Sequence, residues 1–169
     1  MGKIIKKLSF FAALLLFSAG CARTTPPAAV PLPAENNYSR ALTVGNQTLM
    51  VEVVTDSQKM ETGLSGRNFM ADNQGMLFDF GSPQKVVFWM KDMEFNLDFL
   101  WIEKNPSTGL YAVIGVTTNV PAPKATIGDD RLPTYAPPSA VNWVLEVNAG
   151  WSKAHNIQVG DEVKLIDKN

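Results

Sequence analysis

The 169-residue chain is short of the residues most chemistry relies on: it has one cysteine, Cys21, and one histidine, His155. A single cysteine excludes an internal disulfide, and without further Cys or His no thiol–imidazole pair or His-rich metal site can be assembled. No metal and no cofactor is therefore expected. There is no glycine-rich phosphate loop and no G-x-S-x-G around any serine, so neither a nucleotide cradle nor an esterase-type nucleophile is indicated. Dense Lys/Arg blocks are also absent. The formal charge is −1, and removing the first 20 residues, with Lys3, Lys6 and Lys7, makes it −4. A net acidic domain attracts polyphosphate weakly, which argues against nucleic acid as a partner. A last absence is an apolar run of the roughly 20 residues that a membrane-spanning helix needs.

A shorter apolar run is present. MGKIIKK followed by LSFFAALLLFSAG is the basic-then-apolar pattern of a secretory signal peptide, expected to cover residues 1–20. Ser18-Ala19-Gly20-Cys21 resembles a bacterial lipoprotein processing site, although Ser18 stands where an aliphatic residue is usual. Lipidation of Cys21 would tie the chain to a membrane, since each buried methylene contributes about 0.8 kcal/mol. Ala22 after the cysteine, by resemblance to Gram-negative lipoproteins, points to the outer membrane facing the periplasm. Residues 21–40 then read as a Pro/Ala-rich tether, and the folded domain is expected over 41–169.

That domain reads as mainly β, a single sandwich or barrel with one or two short helices. Gly45-Asn46 divides two apolar alternations, the mark of a hairpin or kinked strand. TDSQKMETGL suits a short helix, with Thr55 and Gln58 as a capping box and Gly63 at its end. GMLFDF places Met76, Phe78 and Phe80 on one side of a strand, broken by GSP. Further strands are expected at 86–91, 97–103, 110–117, 141–147 and 163–166, and one helical turn at Trp151–His155. The stretch 120–140, rich in proline, predicts a long surface connection that Ile127, Leu132 and Tyr135 pin to the domain.

Candidate site residues concentrate in VVFWMKDMEFNLDFLWIE, residues 86–103. As a hairpin it would be apolar on both faces, with Trp89, Lys91 and Trp101 on one and Asp98 heading the other. Asp98 invites Lys91 or Arg67 as a partner, or a plainer role accepting backbone N–H groups. On VNWVLEV, Glu146 alternates away from Trp143 and Leu145. It is either a solvent-facing residue or a second carboxylate beside Asp98, as an acid/base hydrolase of envelope polysaccharide would need.

The ordered motifs EVVTDSQKMETGLSGR, GMLFDF, FWMKDM, LDFLWI and VLEVNAG resemble the DUF192 family of bacterial and archaeal proteins from about Leu42 to Leu165. The resemblance implies a mainly β fold and supplies no activity. Arg67, Trp89, Lys91, Asp92, Asp98 and Glu146 fall on its motifs, with Asp92 where Asn is usual. The expectation is a lipid-anchored extracytoplasmic module that binds a small molecule or an envelope glycan in a cleft around these residues.

Overall fold

The computed structural model describes residues 37–124 and 126–166, so the stretch expected to be a signal peptide, Cys21 and the expected tether up to Asn36 lie outside the described residues. Folding begins with a hairpin: β1 (Arg40–Val44) and β2 (Gln47–Val54) are antiparallel, with Val44 opposite Gln47. Gly45 enters the turn at φ 56°, a region that the absence of a Cβ opens at little steric cost. The short helix α1 (Ser57–Thr62) follows. Its cap is Asp56, not the Thr55–Gln58 box, because Asp56 is the last extended residue and its Oδ1 accepts the Lys59 N–H at 2.9 Å. Gly63 closes the helix at φ 52° and Leu64 is buried behind it.

The chain crosses over through residues 63–73 and enters β3 (Gln74–Gln84), which lies parallel to β2. Gly81-Ser82-Pro83 does not end this strand as expected; it is absorbed as a register shift against β8 between Asp79 and Gln84, with Gly81 at φ 69°. Then come β4 (Phe88–Trp89), β5 (Leu97–Lys104), β6 (Tyr111–Val120), a 3-10 turn (Asp129–Arg131), β7 (Thr134–Tyr135), β8 (Val141–Asn148), α2 (Trp151–Ala154) and β9 (Glu162–Ile166). Seven strands close a barrel in the order β1-β2-β3-β8-β5-β6-β9. Full closure leaves those strands no free edge.

The expected 86–103 hairpin does not form. Asp92 sits at φ 54° and the Met93 N–H turns back onto the Met90 carbonyl, so β4 leaves the barrel and pairs with β7. β5 pairs instead with β6 and β8, and its first six residues are all buried. Its two apolar faces serve two cores. Leu100 and Ile102 join Leu42, Leu77, Leu145 and Trp143 inside the barrel. Phe99 and Trp101 join Met76, Phe78 and Val144 in a second cluster built on the outer face. Leu64, Met70, Met90 and Met93 belong to this cluster from the connections.

The proline-rich connection packs here as well. Tyr135 meets Phe99 edge-on at 5.7 Å, and Phe88 meets Phe78 at 5.0 Å and Trp101 at 5.8 Å. Each such pair adds about 0.5–1.5 kcal/mol beyond the area it buries. Trp101 lies against Gly115, where a Cβ would stand 3.1 Å from Trp101 Cδ1, and its indole N–H donates to Thr117 Oγ1 at 2.9 Å.

Candidate functional site

The alternation along β8 sends Trp143, Leu145 and Val147 into the barrel and Val144 and Glu146 to the outer face. Register then sets Glu146 in a row across the sheet. Glu52 on β2 is opposite Met76 on β3, Met76 is opposite Glu146 on β8, and Glu146 is opposite Phe99 on β5. Residues paired in this way project on the same side of a sheet, so the two glutamates flank Met76.

The crossover 63–73 brings Arg67 to this row. Its Nη2 donates to Glu52 Oε2 at 2.8 Å and its Nη1 to the Tyr38 hydroxyl at 3.0 Å. Partial burial opposes the guanidinium charge, but Glu52 and Tyr38 outweigh it and hold the pKa above the ordinary arginine value. Glu146 has no such support. It is 5% exposed, and no hydrogen bond reaches its carboxyl from any described residue. Burial pushes its pKa up to about 8, with the Arg67 charge pulling the other way. Near neutral pH it is therefore mostly a neutral carboxylic acid.

A cleft of about 370 Å³ opens between β2 and α1, lined by Glu52, Val54, Asp56, Lys59, Arg67 and Met76, among others. Its charges come in pairs: Arg67 with Glu52 at 2.8 Å, and Lys59 with Asp56 at 3.9 Å. Met76 and Arg67, which border Glu146, form part of the wall. A second hollow of about 430 Å³, between Ser57, Met60, Asp79 and Phe80, is lined by one acid, Asp79, which accepts the Gly81 N–H at 2.9 Å.

Asp98 is fully buried and takes the plainer of its two expected roles. Oδ1 accepts the N–H groups of Asn119 (2.8 Å) and Gly150 (3.1 Å), and Oδ2 that of Ser152 (3.0 Å). Neither Lys91 nor Arg67 is its partner. It stands opposite Val147, one position out of phase with the Phe99–Glu146 pair, so Asp98 and Glu146 project from opposite faces of the sheet. They cannot share a substrate, which removes the paired-carboxylate hydrolase built on them.

Lys91 and Trp89 form a separate surface group. Lys91 Nζ is 2.6 Å from Asp129 and 5.8 Å from the Trp89 ring, and its pKa is raised chiefly by the hydrogen bond from its ammonium to Asp129. Trp89 is 44% exposed, facing outward on β4 instead of sharing a face with Trp101. Through the backbone, however, this stretch holds the site: the Lys91 carbonyl accepts from Ser65 Oγ at 2.7 Å and the Asp92 carbonyl from the Gly66 N–H at 2.8 Å. Those bonds fix the two residues before Arg67. The left-handed conformation of Asp92 is one that Asn and Asp adopt more readily than other side chains.

Of the expected site residues, the structure brings Arg67 and Glu146 together, ties Lys91 and Asp92 to Arg67 through backbone contacts, and sets Trp89 and Asp98 elsewhere. Sequence reasoning missed Glu52, Tyr38 and Met76. Glu52 carried a signal, being the one charge inside LMVEVV.

The DUF192 family model, described as an uncharacterized ACR, matches residues 40–165. No curated protein gives a significant match. Among solved structures, a protein from Sinorhizobium meliloti 1021, described as a candidate transcription regulator, is 30% identical with a TM-score of 0.63; the match covers 76% of this chain and 95% of that one. A protein of unknown function from Novosphingobium aromaticivorans DSM 12444 is 22% identical, also at a TM-score of 0.63, over 73% of this chain and 83% of its own.

Proposed function

The chain belongs to the DUF192 family, and from that premise we propose that it is a lipid-anchored extracytoplasmic module that binds a small molecule or an envelope component in the cleft between β2 and α1. The observation that carries the binding role is Glu146, a carboxyl withdrawn from water with no hydrogen-bond donor among the described residues, lying behind Met76 and Arg67, which line the cleft. A ligand that supplies the missing partner gains a hydrogen bond worth about 0.5–1.5 kcal/mol net, more where a partner is charged. Support for the anchor comes from Lys3, Lys6 and Lys7, the apolar run after them and the small residues before Cys21. The S. meliloti structure is described as a candidate transcription regulator; for this chain, the charge of −4 after residue 20 favours an uncharged or cationic partner over nucleic acid.

Two measurements test this reading. Mass spectrometry of the mature chain should find an acylated Cys21 as the first residue; an unmodified N-terminus elsewhere contradicts the anchor. For the cleft, the full chain in detergent is heated with fractions of a solubilised cell-envelope extract. A ligand at about 100 times its Kd adds roughly 2.7 kcal/mol of stability, so one fraction should raise the parent's Tm by several degrees and leave Arg67→Met unmoved. No shift with any fraction, or an equal shift in both proteins, contradicts it.

A further inference from the structure

We propose, building on the cleft reading, that the ligand presents a single cationic group, a primary ammonium or its equivalent, to the carboxyl of Glu146. Charge counting leads there. Every charged side chain lining the cleft is already matched, Arg67 by Glu52 and Lys59 by Asp56, and Arg67 spends a further N–H on Tyr38. Glu146, behind Met76, has no ion-pair or hydrogen-bond partner among the described residues. The groups that face it are Met76 from β3, Phe99 from β5, Arg67 from the crossover and, beyond Met76, Glu52 from β2; Tyr38 stands on the far side of Arg67. None of these donates to it.

An anionic ligand would meet Glu52, Asp56 and Glu146 with both basic residues committed. A neutral one would leave Glu146 as a neutral acid. A cation converts it to a carboxylate in an ion pair, and the carboxyl proton passes to the buffer. Met76 is the side chain between the cleft and the acid, and its unbranched thioether can turn aside more readily than a β-branched residue. The raised pKa of Glu146, about 8, agrees with an acid that holds its proton until such a partner arrives.

The test uses the full chain in detergent and three probes with one skeleton: 5-amino-1-pentanol, 1,5-pentanediol and 5-hydroxypentanoate. Methyl NMR of Met76 reports occupancy, and calorimetry at pH 7 in buffers of different ionisation enthalpy reports protons released. The aminoalcohol should move the Met76 methyl, bind at least about tenfold tighter than the diol, a difference of roughly 1.4 kcal/mol, and release close to one proton. Glu146→Gln, with the methyl spectrum of a folded protein, should lose both the preference and the release. Equal or tighter binding of the diol or the acid, or binding of the amine without proton release, overturns the inference. If no probe moves Met76 while an envelope fraction does, the cationic ligand is wrong and the cleft stands; if neither moves it, both readings fall.

Discussion

Asp98 and Glu146 lie on adjacent strands, one residue out of step, and both are withdrawn from water. Asp98 faces the barrel side and is held by the N–H groups of Asn119, Gly150 and Ser152. Glu146 faces the outer side and is held by none among the described residues. Burial alone therefore does not tell an acid that the fold uses from one that it leaves without a partner; the donors around it do. Asp98 joins the end of β6 to the start of α2, in place of backbone pairing that a barrel rim cannot supply. Glu146 joins nothing, and its neighbours are already satisfied with one another.

The largest effect that sharpens this contrast is expected at Asp98. Asp98→Ala strands three backbone N–H groups and should lower stability by roughly 3–5 kcal/mol in urea denaturation. Asp98→Asn should retain part of the loss, because an amide NH₂ cannot accept from an N–H.

Glu146→Gln should behave in the opposite way. The folded-state pKa of Glu146 lies above its unfolded value, so the folded state holds the proton more tightly. Its contribution is complete below the unfolded pKa and is lost as pH rises toward about 8. Denaturation at pH 5 and pH 7 should show the parent losing roughly 2–3 kcal/mol across that interval on this account, with the slope absent in Glu146→Gln. A slope that survives the substitution would assign it to another group.

Asp56 is an intermediate case, an exposed carboxylate with one backbone N–H, that of Lys59. Asp56→Ala should cost about 1 kcal/mol, read as a modest fall in Tm. Smallest of all is Lys91→Ala. Its ion pair with Asp129 is solvent-exposed, and what it holds at the site it holds through its carbonyl, which alanine keeps. Tm should not change measurably; a marked drop would mean that the side chain, too, anchors the crossover.

These contrasts also mark where the sequence could be read and where it could not. Strands β5, β6, β8 and β9, the turn at Gly45-Asn46 and the single helical turn at Trp151 were legible because periodicity and turn chemistry are local. The double apolar face of residues 97–102 called for cover on both sides, by a central position or a roofed pocket, and β5 lies between two clusters. Its partner was not legible: the choice of β8 and β6 over residues 86–91 depends on closing a barrel whose neighbours are far apart in the chain. The same limit hid the site. Asp98 finds its donors 21, 52 and 54 residues away, and Glu52 meets Glu146 only through the β2-β3-β8 register. Glu146 was found as a charge on an otherwise apolar strand and Arg67 as a possible partner for Asp98; their convergence was a matter of register.

The most direct test of the account is a carboxyl-carbon NMR titration of Glu146 in the folded, unliganded protein. The account predicts a midpoint near 8, the mark of a buried acid that no donor among the described residues serves. A midpoint in the ordinary range, about 4.3, would show Glu146 solvated or already partnered, and would contradict both its contrast with Asp98 and the site built on it.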